Sequence, residues 1–197
     1  MAKLISSPGI LILLPISSPV NVITVCSLNE TFPVTSISDN LVKSASEIYP
    51  EISQINNEVQ FDVITLWHVL EHVPNLEVYI SSLKKLLKPD GILIVAVPNF
   101  KSYDAYYYKQ FWAAFDVPRH FWHFSKKAIQ ILFEKENMKL EKVLPMKFDS
   151  FYVSLLSEKY KNGKMNFVKA FFIGLQSNWK AKRNLEYSSL IYVLKNS

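Results

Sequence analysis

The segment HVLEH, residues 68 to 72, carries three side chains that take part in catalysis or metal binding in many proteins. His68 and His72 are four residues apart, so on a helix they would share one face and act as zinc ligands, with Glu71 as the catalytic base. The alternative interpretation is a strand that ends at Trp67, beside a small organic cofactor. The first interpretation predicts a zinc hydrolase and the second a cofactor-binding protein.

The residues around HVLEH favour the strand. FDVITL, directly before Trp67, is an apolar run rich in β-branched residues and predicts a buried strand, and Pro74 follows two residues after His72. A zinc helix would need more than one turn and a third protein ligand, which nothing in the sequence marks out. We therefore expect no metal here. The carboxyl end of a parallel strand is, however, the place where open α/β folds bind their ligands.

A second group of polar side chains lies in an aromatic segment, residues 99–124. Eleven of its 26 residues are Phe, Trp or Tyr, and the stretch DVPRHFWHF adds Asp116, Arg119, His120 and His123. On composition alone, this segment can be a hydrophobic cap that completes the core.

The elements that must position these residues alternate between strands and helices. GILILLP, NVITVCS, FDVITL and ILIVAVP each predict a buried strand. The apolar spacing after Pro74 predicts an amphipathic helix that closes at KPDG, with Gly91 where the chain turns back. SDNLVKSASEIYP predicts a further helix, with Ser38 as N-cap and Pro50 as its end.

The distal part of the chain continues the pattern. SKKAIQILFEKENM predicts a helix capped by Ser125, and KLEKVLPMKFD predicts a strand. Residues 151–184 are mostly helical in pattern, and SSLIYVLK predicts a last strand. We expect one domain over residues 1–197, because no interdomain linker interrupts it.

Composition limits the classes of function. The chain has 197 residues, 49% hydrophobic and 20% charged, which is ordinary for a folded domain. Cys26 is the single cysteine, so no intramolecular disulfide can form and a cytoplasmic location is expected. The apolar N-terminal run is interrupted by three prolines, so we expect no stable membrane insertion. Residues 101–197 carry 17 basic and 8 acidic groups. This excess of positive charge suits either an anionic partner or a solvated, lysine-rich surface. No compact Arg/Lys motif is present, so the sequence does not predict nucleic-acid binding.

Two paired segments carry a family resemblance. FDVITLWHVLEHVPN followed by LKKLLKPDGILIVAVPN resembles the fourth-strand and fifth-strand region of class I S-adenosylmethionine-dependent methyltransferases, especially the bacterial small-molecule group related to the ubiquinone-biosynthesis O-methyltransferases. DVPRHFWHFS and EYSSLIYVLK resemble the distal half of such proteins. The resemblance implies an α/β, Rossmann-like fold in which helices flank a seven-stranded, mostly parallel sheet with the last strand antiparallel. It also implies S-adenosylmethionine as the cofactor and a small-molecule substrate.

The resemblance also assigns roles to residues, in the βαβ core (61–98) and in the aromatic insert (99–124). Two histidines are candidate catalytic groups, three residues at the end of the FDVITL strand would contact the cofactor, and one asparagine would approach the transfer site. Residues of the insert would line the substrate side. The implied sets are catalytic His72 and His120; cofactor-binding Leu66, Trp67, His68 and Asn99; and substrate-binding Trp112, Asp116, Arg119 and His123.

The first sixty residues depart from this family. Class I enzymes carry a glycine-rich loop after the first strand, whereas this chain has four glycines and no G-x-G. Pro15 to Val20 joins the first two predicted strands and is shorter than the dozen or so residues of a parallel crossover. Cys26 or Ser27 stands where the family has an acidic residue, and Glu30 fits there only after a shift. We therefore expect an incomplete first βαβ unit and a degenerate cofactor-binding half over residues 1–60.

Three hypotheses follow for the function. The first is S-adenosylmethionine-dependent methyl transfer to a small molecule or cell-envelope precursor. The second is a catalytically silent relative that acts as a binding or scaffold protein. The third is the zinc hydrolase that the H-x-x-E-H spacing suggests.

Overall fold

The computed structural model describes residues 9–15, 22–28, 45–49, 52, 55, 56 and 58–197. Its strands are β1 (Gly9–Pro15), β2 (Val22–Leu28), β3 (Ala45–Tyr49), β4 (Phe61–Trp67), β5 (Leu87–Pro98), β6 (Met138–Met146) and β7 (Ser189–Asn196). Within the described ranges these seven strands form one sheet in the order β3-β1-β2-β4-β5-β7-β6. The α/β sheet predicted from the sequence is confirmed.

The directions of the strands explain how the sheet departs from a fully parallel one. β2 pairs in parallel with β4, and β4 with β5, whereas β7 runs antiparallel to both β5 and β6. β1 is antiparallel to β2 and to β3. Five of the seven described strands therefore point the same way, and β1 and β7 are reversed. The predicted antiparallel last strand is confirmed.

The reversal of β1 has a simple physical cause. Only residues 16–21 separate it from β2, and a link of that length cannot make a parallel crossover. The chain therefore turns back, and Gly9 pairs with Leu28 in the antiparallel register. This pairing is the incomplete first βαβ unit that the sequence predicts.

Two local predictions are wrong. SDNLVKSASEIYP is predicted to be a helix, but its part Ala45–Tyr49 is strand β3, which pairs with β1. Pairing with an available sheet edge outweighs a weak helical pattern. Residues 38–44 lie outside the described residues. Gly91 does not end a helix. The helix before it ends at Leu86, and Gly91 lies inside β5, beside an irregularity in the pairing with β4.

Five helices occur among the described residues: α1 (Leu76–Leu86), α2 (Tyr103–Tyr108), α3 (Lys126–Glu134), α4 (Asp149–Asn162) and α5 (Phe167–Asn184). Asn75 caps α1 by accepting from the Val78 amide, and the predicted cap Ser125 accepts from the Ala128 amide at the start of α3. Within these same ranges, no helix combines the length and the apolar character that a membrane span requires.

The core has two parts. The larger one packs β2, β4, β5 and β7 against α1 and α3, with Ile80, Leu83 and Phe133 fully buried. The smaller one joins the aromatic insert to α4 and α5 through Tyr108, Trp112 and Ile173. The second part holds the insert over the carboxyl ends of β4 and β5, where the candidate site lies.

Candidate functional site

HVLEH leaves the sheet as a turn and not as a long helix. β4 ends at Trp67, and His68 adopts a left-handed backbone conformation with φ 53°. The His68 amide donates to the Ala96 carbonyl at 3.0 Å, and a single 3₁₀ turn follows at Leu70–His72. The strand-end interpretation is therefore confirmed, and His68 and His72 do not share one face of a helix.

His68 is held between two carboxylates. Its Nδ1 lies 3.2 Å from Glu71 Oε1, and its Nε2 lies 3.4 Å from Asp149 Oδ2 at the start of α4. Burial alone would lower the pKa of His68, but the hydrogen bonds and charges of Asp149 and Glu71 raise it to about 10. His68 is thus an imidazolium at neutral pH, and it ties the end of β4 to α4.

Glu71 is the hub of the site. Burial alone would raise the pKa of its carboxyl group. The hydrogen bond from His68 and the positive charge of that ring outweigh burial and lower the pKa, so the carboxyl group is ionised. Its backbone oxygen accepts from the amides of Phe121 at 2.8 Å and Trp122 at 3.3 Å, which fixes the insert over the turn. Its Oε2 is buried and has no hydrogen-bond partner among the described residues.

His72 and His120 lie beside Glu71, and one ligand atom of each of the three residues lies within 4.8 Å of the others. His72 Nδ1 lies 3.1 Å from the Arg119 carbonyl, and His120 Nδ1 lies 2.9 Å from the Ala114 carbonyl. Because a carbonyl only accepts, each Nδ1 carries a hydrogen. The rings meet edge to face with centroids 4.6 Å apart. Burial lowers the pKa of His120, as does the nearby His72, so His120 is neutral at pH 7.

Asp116 extends this cluster at the insert. It has a left-handed φ of 38°, and its Oδ1 accepts from Arg119 Nη2 at 2.6 Å. Its Oδ2 lies 3.8 Å from His120 Nε2. The structure therefore brings together His68, His72, Asp116 and His120, all of which the sequence predicts as site residues. Arg119 joins them through Asp116.

Three predicted site residues have other surroundings. Trp112, predicted to line the substrate side, is buried in the smaller core and donates from Nε1 to Asp104 Oδ2 at 2.7 Å. Asn99, predicted to approach the transfer site, is also buried, and its amide donates to Glu186 and to the Tyr187 carbonyl. Burial and internal hydrogen bonds occupy both side chains, and the roles assigned to them stay predictions.

His123, the third, is exposed and contacts the Phe115 carbonyl through Nε2 at 2.9 Å. His123 does not line the small cavity beside Glu71 and His120. Leu66 is fully buried within β4, so its side chain packs in the core. Trp67 is half-buried, with its Nε1 3.2 Å from Thr65 Oγ1. The side chains of Cys26 and Ser27, and the whole of Glu30, lie outside the described residues.

A small cavity of about 70 Å³ lies beside this cluster. That volume admits a few water molecules or an ion, whereas pockets for organic ligands measure roughly 300–1,000 Å³. Sequence reasoning missed Asp149, Tyr152 and Ser189, because their helical or strand patterns carry no mark of a site. The histidines and carboxylates that line the cavity are His68, Glu71, Asp116, His120 and Asp149.

The sequence is similar to known methyltransferases. A family model described as methyltransferase domain matches residues 16–143. The ubiquinone biosynthesis O-methyltransferase of Glaesserella parasuis serovar 5 (strain SH0165) is 49% identical over 45 residues, 23% of this chain and 19% of that protein. The protein of the same name from Proteus mirabilis (strain HI4320) is 35% identical over 81 residues, 41% of this chain and 29% of that protein.

The fold is also similar to a solved structure, that of the mitomycin 7-O-methyltransferase MmcR. The TM-score is 0.50 at 15% identity, and the alignment covers 82% of this chain and 37% of that one. This likeness shows a shared fold. The segments matched in the two curated relatives span less than a third of either protein's length.

Proposed function

Because the chain belongs to the methyltransferase-domain family, we propose that it transfers a methyl group from S-adenosylmethionine to a hydroxyl group of a small molecule or cell-envelope precursor. The observation that carries this proposal is the cluster of Glu71, His72 and His120 at the carboxyl ends of β4 and β5. Ligands of open α/β folds bind at that edge. The hydroxyl acceptor is supported by the O-methyltransferase names of the relatives.

The chemistry divides between the cofactor and this chain. When bound, S-adenosylmethionine supplies a methyl carbon on a sulfonium; the acceptor oxygen bonds to that carbon as the carbon–sulfur bond breaks, and sulfur keeps the electron pair. The acceptor must also lose its proton. His120 suits this step, because its pKa is lowered and its Nδ1 hydrogen is fixed on the Ala114 carbonyl. Asp116 would stabilise the imidazolium that results.

Cofactor contacts are proposed for Trp67 and His68, where β4 ends. Trp67 offers a half-buried ring, and the left-handed turn at His68 brings backbone to the edge of the sheet. Leu66 supports this edge from within the core. We place the protein in the cytoplasm, since Cys26 has no second cysteine with which to form an internal disulfide.

Calorimetric titration with S-adenosylmethionine and S-adenosylhomocysteine tests the cofactor part of the proposal. We expect saturable binding of both, weakened about tenfold in Trp67→Ala, since a stacked aromatic ring is worth about 1–1.5 kcal/mol. Trp179→Ala is the matched control, because Trp179 is an exposed tryptophan on α5. A folded protein that gives no heat with either compound would instead support the silent-relative hypothesis.

Activity is tested separately by screening hydroxylated acceptors with labelled cofactor. His120→Asn keeps a donor for the Ala114 carbonyl and removes the basic nitrogen. We expect turnover to fall at least about a hundredfold, the usual contribution of a general base, while cofactor affinity is kept. Full turnover in this variant would contradict the assignment of His120.

A further inference from the structure

The cluster of Glu71, His72 and His120 has the composition of a metal site. Among the residues that the structure describes, these three buried side chains each offer one ligand atom, and the three atoms lie within 4.8 Å of one another. Two imidazoles and one carboxylate are a donor set that Zn²⁺ and other divalent transition-metal ions accept. Tetrahedral metal–ligand bonds of about 2.1 Å place ligand atoms about 3.4 Å apart, so a separation at the 4.8 Å limit would shorten by roughly 1.4 Å on metal binding.

The partners of these side chains also match those of metal ligands. Ligating histidines almost always donate their other ring hydrogen to a carbonyl or a carboxylate. Here the Nδ1 atoms of His72 and His120 both face backbone carbonyls. Glu71 is held through Oε1 by His68, and its second oxygen, Oε2, is buried without a hydrogen-bond partner in the described part of the chain. A buried acceptor of this kind needs a cation or a donor.

Electrostatics around the cavity favour a cation. Three carboxylates line it, those of Glu71, Asp116 and Asp149. Arg119 pairs with Asp116 at 2.6 Å, whereas Glu71 and Asp149 share the single His68 side chain, beside a space of about 70 Å³. Buried charge of this kind is normally paired or bound to metal.

We propose that Glu71, His72 and His120 bind one divalent transition-metal ion, zinc or manganese, whose remaining coordination positions face the cavity. With the ion bound, His120 would be its ligand and no longer the general base; the ion would bind the acceptor oxygen and lower the pKa of its hydroxyl. That role rests on the proposed function, but metal binding itself does not. His68 is not a ligand in this arrangement, because its two ring nitrogens face Glu71 and Asp149.

Metal binding can be measured directly on the tag-free, chelator-treated full chain. We expect about one equivalent of Zn²⁺ or Mn²⁺ in calorimetric titration, and a Co²⁺ absorption spectrum typical of nitrogen and oxygen ligands. His120→Asn and His120→Ala should each weaken binding at least tenfold. His123→Ala, which removes a nearby exposed histidine, should leave it unchanged. Circular dichroism confirms that each variant is folded.

The outcomes separate this inference from the proposed function. If the folded wild type binds neither Zn²⁺ nor Mn²⁺ but still binds S-adenosylhomocysteine, the metal site is refuted and the methyltransferase proposal stands. Metal binding that is undiminished in both His120 variants also refutes the site. Metal binding without cofactor binding keeps the site and removes the proposed function.

A second observation, independent of the first, concerns α5. The face that α5 buries carries mainly small side chains, namely Ala170, Ile173, Gly174, Ser177 and Ala181. Its large apolar side chains point outward instead. Those with about half or more of their surface exposed are Phe167, Val168, Phe171, Phe172, Leu175 and Trp179. At about 100° per residue, these six positions span an arc of roughly 140°, so they form one continuous stripe, which we call the α5 stripe.

Positive charge borders the α5 stripe. α5 carries Lys169, Lys180, Lys182 and Arg183 and has no acidic residue, and of these Lys169 is paired with Glu158 of α4 at 3.0 Å. An apolar groove of about 470 Å³ opens between α5 and α4, and Tyr152 lines both this groove and the small cavity. An aromatic stripe flanked by lysine and arginine is typical of helices that lie in the interface of an anionic membrane. A second copy of the chain would instead bring like charges together.

We propose that the α5 stripe docks on an anionic membrane surface, with α5 lying in the plane of the interface. The test is co-sedimentation of the full chain with vesicles of phosphatidylcholine that contain phosphatidylglycerol, or with phosphatidylcholine alone. We expect binding to the anionic vesicles, weakened at least tenfold by Phe172→Ser with Trp179→Ser. Phe121→Ser, at an exposed aromatic on the insert, is the control and should bind as wild type.

Two outcomes would overturn the membrane proposal. One is the absence of binding to anionic vesicles by the folded wild type. The other is a dimer in analytical ultracentrifugation that the double variant dissociates, which would assign the α5 stripe to contacts between copies of the chain.

Discussion

Replacing Asp104 should reveal how firmly the aromatic insert is anchored. Asp104 is fully buried in α2. Its Oδ2 accepts from Trp112 Nε1 and from Ser188 Oγ, both at 2.7 Å, and its Oδ1 accepts from Ser177 Oγ at 2.6 Å. These three bonds join the insert to α5 and to the chain just before β7. We expect Asp104→Ala to destabilise the protein strongly.

The size of the effect follows from the donors left behind. A buried donor that loses its partner costs about 1–3 kcal/mol. The two serine hydroxyls can rotate toward other acceptors, whereas the indole N–H of Trp112 cannot. The expected loss in free energy of unfolding is therefore about 3–5 kcal/mol, a large part of the 5–15 kcal/mol typical of a domain. Trp112→Phe removes one donor and keeps most of the ring, so it should cost about 1–2 kcal/mol.

Urea denaturation followed by circular dichroism measures these values, with Asp90→Ala as the control. Asp90 is exposed, so its replacement should change stability by less than about 0.5 kcal/mol. Combining Asp104→Ala with Trp112→Phe should add little to the first change alone, because both remove the same bond. An Asp104→Ala loss below about 1 kcal/mol, or full additivity in the double variant, would refute the anchoring role.

Two further predictions concern packing and pH. In Gly174→Ala, the new Cβ would lie 2.7 Å from the ring of Phe151 and 3.0 Å from the Cα of Phe151. The resulting strain of about 1–3 kcal/mol should exceed the gain in helix propensity of up to about 1 kcal/mol, so the variant should be less stable. An unchanged midpoint of urea denaturation would contradict this prediction. In chelator-treated protein, burial lowers but Glu71 and Asp149 raise the pKa of His68 from 6.5 to about 10. The contribution of His68 to the free energy of unfolding is therefore complete below pH 6.5 and is lost as the pH rises toward 10. If the stability of a His68→Asn variant depended on pH as steeply as that of the wild type, this prediction would be wrong.

Much of the fold could be predicted because its determinants are local. FDVITL and ILIVAVP are apolar runs that suit central strands, and Ser125 is a cap followed by helical spacing. The direction of β1 could also be anticipated, since a short connection forbids a crossover. The strand at Ala45–Tyr49 could not be predicted, because its pairing partners lie thirty or more residues earlier in the chain.

The candidate site was predictable only in part. The residue types of His72, Asp116 and His120 marked them, whereas Asp149 had no such pattern around it. The burial of Trp112 could not be predicted, because the aromatic residues of the insert are alike in sequence and only the structure distinguishes a core ring from an exposed one. The hydrogen bonds of Asn99 could not be predicted either, since its partners near β7 are about ninety residues away.

The position of His120 follows from the turn after β4 more than from the insert itself. Glu71 supplies a carboxylate to the cluster, and its backbone oxygen accepts from the Phe121 amide, directly after His120. His72 contacts the Arg119 carbonyl, directly before His120. The same two residues therefore belong to the proposed metal site and hold the backbone on both sides of His120. His120 lies 48 residues beyond His72 in the sequence, so its place beside Glu71 and His72 depends on these long-range backbone contacts.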